Sequence, residues 1–167
     1  ATRALLERGH QVRVFDSLVY GGQGLLGVFG DDGFELVHGD VRSADAVVSA
    51  VTGVDAVVHL AAIVGFPACL KYPEVAEMTN VQGTKNVAEA VSADQPLVFA
   101  STGSNYGAVD GVCTEETPLR PLSVYGVTKT NAEAALLESG NAIVYRFATA
   151  FGLSRRLRLD LLINDFA

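Results

Sequence analysis

Tyr125 and Lys129 stand four residues apart in the run Ser123-Val124-Tyr125-Gly126-Val127-Thr128-Lys129. On a helix, residues at that spacing share a face, with Cβ atoms about 5–6 Å apart. An ammonium is then held beside a phenol. A free tyrosine has a pKa of ~10, so its use as a base near pH 7 needs a shift of about 3 units, roughly 4 kcal/mol. A neighbouring cation supplies part of that by favouring the phenolate. Ordinary helices also place a half-buried tyrosine beside a solvated lysine, so the pair takes its meaning from the rest of the chain.

The segments that must position the pair alternate between strand-like and helix-like patterns. Ala1 to Arg8 reads as a helix with Gly9 as its C′ residue. Gln11 to Phe15 reads as a strand ending at Asp16, and Phe34 to Val37 as a second strand leading into His38-Gly39-Asp40-Val41. Ser43 can cap a helix running to about Val51. Ala56 to Leu60 is an apolar strand, Pro73 to Val91 a long helix, and Leu97 to Ala100 the next strand. Ser123 to Ser139 is a helix stopped by Gly140, and Ala142 to Phe147 a further strand. Residues 21–33 read as a mobile loop. Short apolar runs separated by helices predict an α/β fold, a doubly wound parallel sheet of Rossmann type covered on both faces. Such sheets bind ligands at the carboxyl ends of their strands. Asp16, Asp40, Ala61, Ala62, Ser101, Thr102 and Arg146 all fall there.

A chain of 167 residues can bury one sizeable core. Its 49% apolar and 19% charged content is that of a globular protein. The net charge of −7 argues against a nucleic-acid surface, which needs basic clusters. The basic cluster Arg155-Arg156-Leu157-Arg158 is short, and a solvated helix start explains it as well as an anion site does. Cys69 and Cys113 have neither metal spacing nor a disulfide framework and read as reduced thiols of a cytoplasmic protein. No apolar run reaches the ~20 residues of a membrane span.

Several strand tips carry residues suited to a dinucleotide. Asp16 can accept hydrogen bonds from a ribose diol and repel a 2′-phosphate, or can simply cap a turn. Asp40 could meet an adenine amino group, or mark a helix entry. Ala61 and Ala62 are small enough for close approach by a ligand or by a helix. Phe99 to Gly107 delivers the Ser101 and Thr102 hydroxyls ahead of the Tyr125/Lys129 helix.

In this order and spacing the chain resembles the extended short-chain dehydrogenase/reductase superfamily, specifically its NAD-dependent nucleotide-sugar epimerases and dehydratases. The likeness runs from about Ala4 to Gly152. It is most specific at Tyr125/Lys129, at Ser101 to Gly107, and at Asn80-Val81-Gln82-Gly83-Thr84. The resemblance implies NAD as cofactor, a nucleotide-sugar substrate and a homodimer paired through the helices at 75–91 and 123–139, with no nucleic-acid or membrane partner. It implies Tyr125 as acid/base, Lys129 as the holder of the nicotinamide ribose, and Thr102 as hydrogen-bond donor to the reacting oxygen. Asp16, Ser17, Asp40, Val41, Leu60, Ala61, Ala62, Val64, Asn80, Ala100, Ser101 and Phe147 would line the cofactor with Tyr125 and Lys129. Thr102, Gly103, Ser104 and Tyr125 would face the substrate.

Dehydratases of this family carry an Asp-Glu pair where this chain has Gly103 and Ser104, which argues against dehydration and leaves epimerisation or ketone reduction; the leading expectation from the resemblance is a UDP-sugar 4-epimerase. A nucleotide-sugar 4-ketoreductase or dehydratase is the alternative. A non-catalytic dinucleotide-binding scaffold or sensor is a further one, disfavoured because Thr102, Tyr125 and Lys129 are all present. Residue 1 already falls inside the first helix of such a fold. The opening strand and glycine-rich turn are therefore expected outside this chain, which reads as an internal portion of a longer polypeptide. The expected division is a dinucleotide-binding domain over 1–152 and the start of a substrate-binding region over 153–167.

Overall fold

The computed structural model describes residues 1–152. The region expected to begin substrate binding, 153–167, lies outside the described residues, as does its basic cluster.

The chain divides into two compact units, one containing residues 1–40 and the other residues 41–148. In the first, helix α1 (Thr2–Leu6) precedes strands β1 (Val12–Asp16) and β2 (Phe34–His38), which pair in parallel from Val12↔Phe34 to Asp16↔His38. Gly9 takes the left-handed conformation at φ +83°, as expected for a residue ending a helix. The expected loop at 21–33 contains a short 3₁₀ turn, Gln23–Leu25. Val28 is buried within it, and Phe29 meets Phe34 edge to face at 5.4 Å.

The second unit holds helix α2 (Ala44–Val51), strand β3 (Val57–His59), helices α3 (Phe66–Lys71), α4 (Pro73–Glu77) and α5 (Gly83–Ala90), strand β4 (Leu97–Thr102), helix α6 (Val124–Ser139) and strand β5 (Ala142–Phe147). β3, β4 and β5 form a parallel sheet in that order, with His59 beside Phe99 and Thr102 beside Phe147. Ser43 caps α2 and Gly140 ends α6 at φ +83°, both where the sequence puts them. The core lies in this unit: Val47, Cys69, Ala76, Leu97, Phe99, Ala132 and Leu136 are essentially inaccessible to water.

Two differences from the sequence reading have physical causes. The segment at 66–71 is helical although its pattern is short, because Pro67 sits at the start of the helix, where its missing N–H costs nothing. The long helix expected over 73–91 is interrupted by one π-helical turn, Met78–Gln82, between α4 and α5. Such turns insert one residue into an α-helix and commonly mark functional sites. The sheet of β3, β4 and β5 is buried on the face toward α6. Its opposite face carries Val58, Ile143, Tyr145 and Phe147, each about half exposed.

Candidate active site

The helix that carries Tyr125 and Lys129 is placed by its first turn. Ser123 accepts from the Gly126 N–H at 3.0 Å and so caps α6. A Cβ at Gly126 would stand 3.1 Å from the Ser104 carbonyl and 3.0 Å from Pro121, so a glycine is what lets this turn lie against the tip of β4. That tip is itself closed: Thr102 Oγ1 accepts from the Ser104 N–H at 3.2 Å, and its own hydroxyl proton remains to be donated. Tyr125 and Thr102, distant in sequence, thus belong to elements packed against each other.

A hydrogen-bonded chain then ties Tyr125 to the loop after β3. Thr128 donates to the Tyr125 carbonyl at 3.0 Å and accepts from Asn80 Nδ2 at 3.0 Å. Asn80 also donates to the Ile63 carbonyl at 3.1 Å and accepts from the Ile63 N–H at 2.7 Å. It lies in the π-helical turn and is fully buried, so it acts on the site by fixing the 60–64 loop. In that loop Leu60 and Val64 are exposed and Ala61 and Ala62 partly so. Cys69 donates to the Ile63 carbonyl at 3.3 Å, and burial raises its thiol pKa.

Lys129 is not the solvated lysine of an ordinary surface helix. It is 2% exposed, and its Nζ lies 3.7 Å from the centroid of the buried Phe99 ring. Burial lowers its pKa to about 7, with Glu133 acting in the opposite direction. The neighbouring His59 is lowered to about 3, chiefly by burial and then by the charge of Lys129, and is neutral at pH 7.

One turn beyond Lys129, the buried Glu133 accepts from Arg146 Nε at 2.9 Å, Ser101 Oγ at 2.6 Å and Asn105 Nδ2 at 3.0 Å. Arg146 Nη1 donates to Tyr106 Oη and to the Glu115 carbonyl, each at 3.1 Å. The hydrogen bond to Glu133 raises the guanidinium pKa further. Ser101 and Arg146 therefore use their side chains inside this network, which joins α6, β4 and β5. Sequence reasoning missed Phe99, His59, Asn105 and Glu133. The only available signal was the stripe Tyr125, Lys129, Glu133 at steps of four.

In the other unit, Asp16 is exposed at the end of β1. Its Oδ1 accepts from the Leu18 N–H at 2.7 Å, leaving Oδ2 as an acceptor. Leu18 has φ +53°, a conformation costing about 1–2 kcal/mol outside glycine, and such strain clusters at ligand sites. Ser17 offers its carbonyl to the His38 ring at 3.3 Å. A Cβ at Gly39 would collide with the Phe15 ring, so the tip of β2 admits only glycine there. Val41, in the second unit, is buried against Gly83, and its carbonyl accepts from Asn86. Each unit thus carries groups of a kind that a dinucleotide uses: an acidic strand tip in the first, a small-residue loop and strand-end hydroxyls in the second.

The family model described as the NAD dependent epimerase/dehydratase family matches residues 1–158. The chain belongs to this family, which makes NAD its cofactor. It is 31% identical over 157 residues to the UDP-glucose 4-epimerase of Corynebacterium glutamicum, covering 92% of this chain and 44% of that protein. It is 37% identical over 127 residues to the dTDP-glucose 4,6-dehydratase of Mycobacterium tuberculosis, covering 73% of this chain and 38% of that protein. DesIV, a dTDP-glucose 4,6-dehydratase of Streptomyces venezuelae solved with NAD bound, superposes with a TM-score of 0.84 at 30% identity, covering 99% of this chain and 56% of that one. The chain thus spans about half the length of these relatives.

Proposed function

We propose that the protein is a nucleotide-sugar 4-epimerase acting on a UDP-sugar, working as a cytoplasmic homodimer. The observation that carries this reading is the close approach of Gly126 to the tip of β4, where a Cβ would stand 3.1 Å from the Ser104 carbonyl. That tip ends in Thr102, Gly103 and Ser104. Neither Gly103 nor Ser104 can take a proton from carbon, which favours epimerisation over loss of water. NAD, when bound, accepts a hydride from the sugar and returns it.

The chain's own residues handle the proton. Tyr125 removes it from the sugar hydroxyl as the carbon is oxidised and restores it on reduction, so that charge does not build up on oxygen. Thr102 donates a hydrogen bond to the same oxygen. Lys129, when charged, favours the phenolate and offers its N–H groups to the nicotinamide ribose. Asp16 Oδ2 would accept from the adenosine ribose. Leu60, Ala61, Ala62, Val64, Ala100 and Phe147 supply apolar lining, with Asp40 and Val41 toward the adenine. Exposed Met78, Val127 and Leu137 on the helical face support pairing of two copies.

The test uses full-length purified protein mixed with UDP-glucose or UDP-galactose and no added cofactor. The expected result is interconversion of the two, with NAD released on denaturation. Absence of interconversion, together with oxidation of NADH by a 4-keto sugar nucleotide, would establish a reductase instead. Loss of water from a nucleoside diphosphoglucose would establish a dehydratase.

A further inference from the structure

Lys129 poses a problem of placement. A lysine stem has four rotatable bonds, and a ligand-holding ammonium must be fixed without being neutralised by a carboxylate that occupies its N–H groups. Glu133, the acid one turn away, is already engaged by Arg146, Ser101 and Asn105. Among the described residues, Lys129 makes no ion pair. Its ammonium instead stands 3.7 Å from the centroid of Phe99.

Phe99 is fixed by its surroundings. It is fully buried on the central strand of its sheet, beside His59 of β3 in register. The two rings stack at 5.5 Å and 25°. His59 Nε2 lies 2.9 Å from Thr84 Oγ1, and Thr84 donates to the Asn80 carbonyl at 2.6 Å, so the imidazole is the donor in the first bond. The ring stack is thereby fastened to the π-helical turn that also fixes the 60–64 loop. The electron-rich face of an aromatic ring attracts a cation without occupying its N–H donors.

We infer that Phe99, braced by His59 and Thr84, is a positioning residue that holds the Lys129 ammonium beside the carboxyl end of β3 while leaving its three N–H donors for a ligand. This rests on the reading of Lys129 as a cofactor-binding residue. The ionisable groups that act on the ammonium are Glu133 on α6, itself tied to Arg146 of β5, and His59 on β3; Tyr125 stands one turn before Lys129 on α6. Burial holds His59 neutral above about pH 3, so the ring stack presents no competing positive charge at neutral pH.

The test replaces Phe99 alone with 4-fluoro-, 3,5-difluoro- and 3,4,5-trifluorophenylalanine in the full-length protein. Fluorination drains the ring face of charge with little change of shape. Lys129 is followed by the pH dependence of its ¹³Cε resonance, assigned with Lys129→Met, and NAD affinity is measured by calorimetry. The pH at which Lys129 titrates is expected to fall stepwise, by about one unit across the series, while the melting temperature stays constant. NAD affinity is expected to weaken in step at a pH between the old and new titration points. A Lys129 titration that does not move across the series overturns the inference. A titration that moves while NAD affinity and turnover do not supports the ring contact and instead removes Lys129 from the cofactor site. Phe99→Leu, an apolar side chain of similar bulk, is expected to reproduce the trifluoro end point if it folds.

Discussion

Replacing Lys129 with methionine should make this protein more stable, by an amount that depends on pH. Lys129 is 2% exposed, and burial takes its pKa from 10.5 to about 7. The difference of about 3.5 units is worth about 5 kcal/mol at 1.36 kcal/mol per unit. That is the cost of keeping the charged ammonium inside. The sign follows from proton counts. Between pH 10.5 and about 7 the unfolded chain carries a proton that folded Lys129 has released, so stability falls as pH is lowered through that window. Below it both states are protonated and the cost is complete. Lys129→Met keeps the apolar stem and drops the charge. Urea unfolding of parent and variant at pH 6, 7.5, 8.5 and 9.5 should show the variant ahead by about 5 kcal/mol at pH 6, narrowing to about 1 kcal/mol at pH 9.5. A variant less stable than the parent at pH 6, or a difference flat across the series, would refute the reasoning that burial dominates at this lysine.

Tyr125→Phe should lower turnover by about 10²–10⁴-fold while NAD still binds, because only the proton transfer is lost; steady-state kinetics with calorimetry check both halves. Arg146→Met leaves the buried Glu133 carboxylate without its cation and should destabilise the protein by about 3–5 kcal/mol, read from urea midpoints. His59 resists protonation down to about pH 3, whereas the unfolded chain takes up that proton below 6.5, so stability should fall as pH drops from 6.5 to 3. His59→Gln should remove up to about 1.4 kcal/mol per pH unit of that slope, and an unchanged slope in acid unfolding would show that another group is responsible.

The sequence by itself determined the local structure and the family. Periodicity located all five strands among the described residues, because short apolar runs flanked by turn residues have few alternatives. Ser43, Ser123 and Gly140 marked helix ends through chemistry confined to a few neighbouring residues. Tyr125, Lys129 and Thr102 were legible as a set because their spacing reflects one helix and one strand tip. What only the tertiary structure decided depends on partners distant in sequence. Asn80 became the post of the 60–64 loop because a π-helical turn, invisible in the hydrophobic pattern, brings its amide to Ile63 and Thr128. Ser101 and Arg146 turned inward because Glu133, 32 and 13 residues away, supplies their acceptor. Lys129 exchanged water for the face of Phe99, 30 residues earlier in the sequence, because β4 lies beneath α6. Spacing along a helix tells which side chains share a face; the charge they carry there is set by the element that face is pressed against.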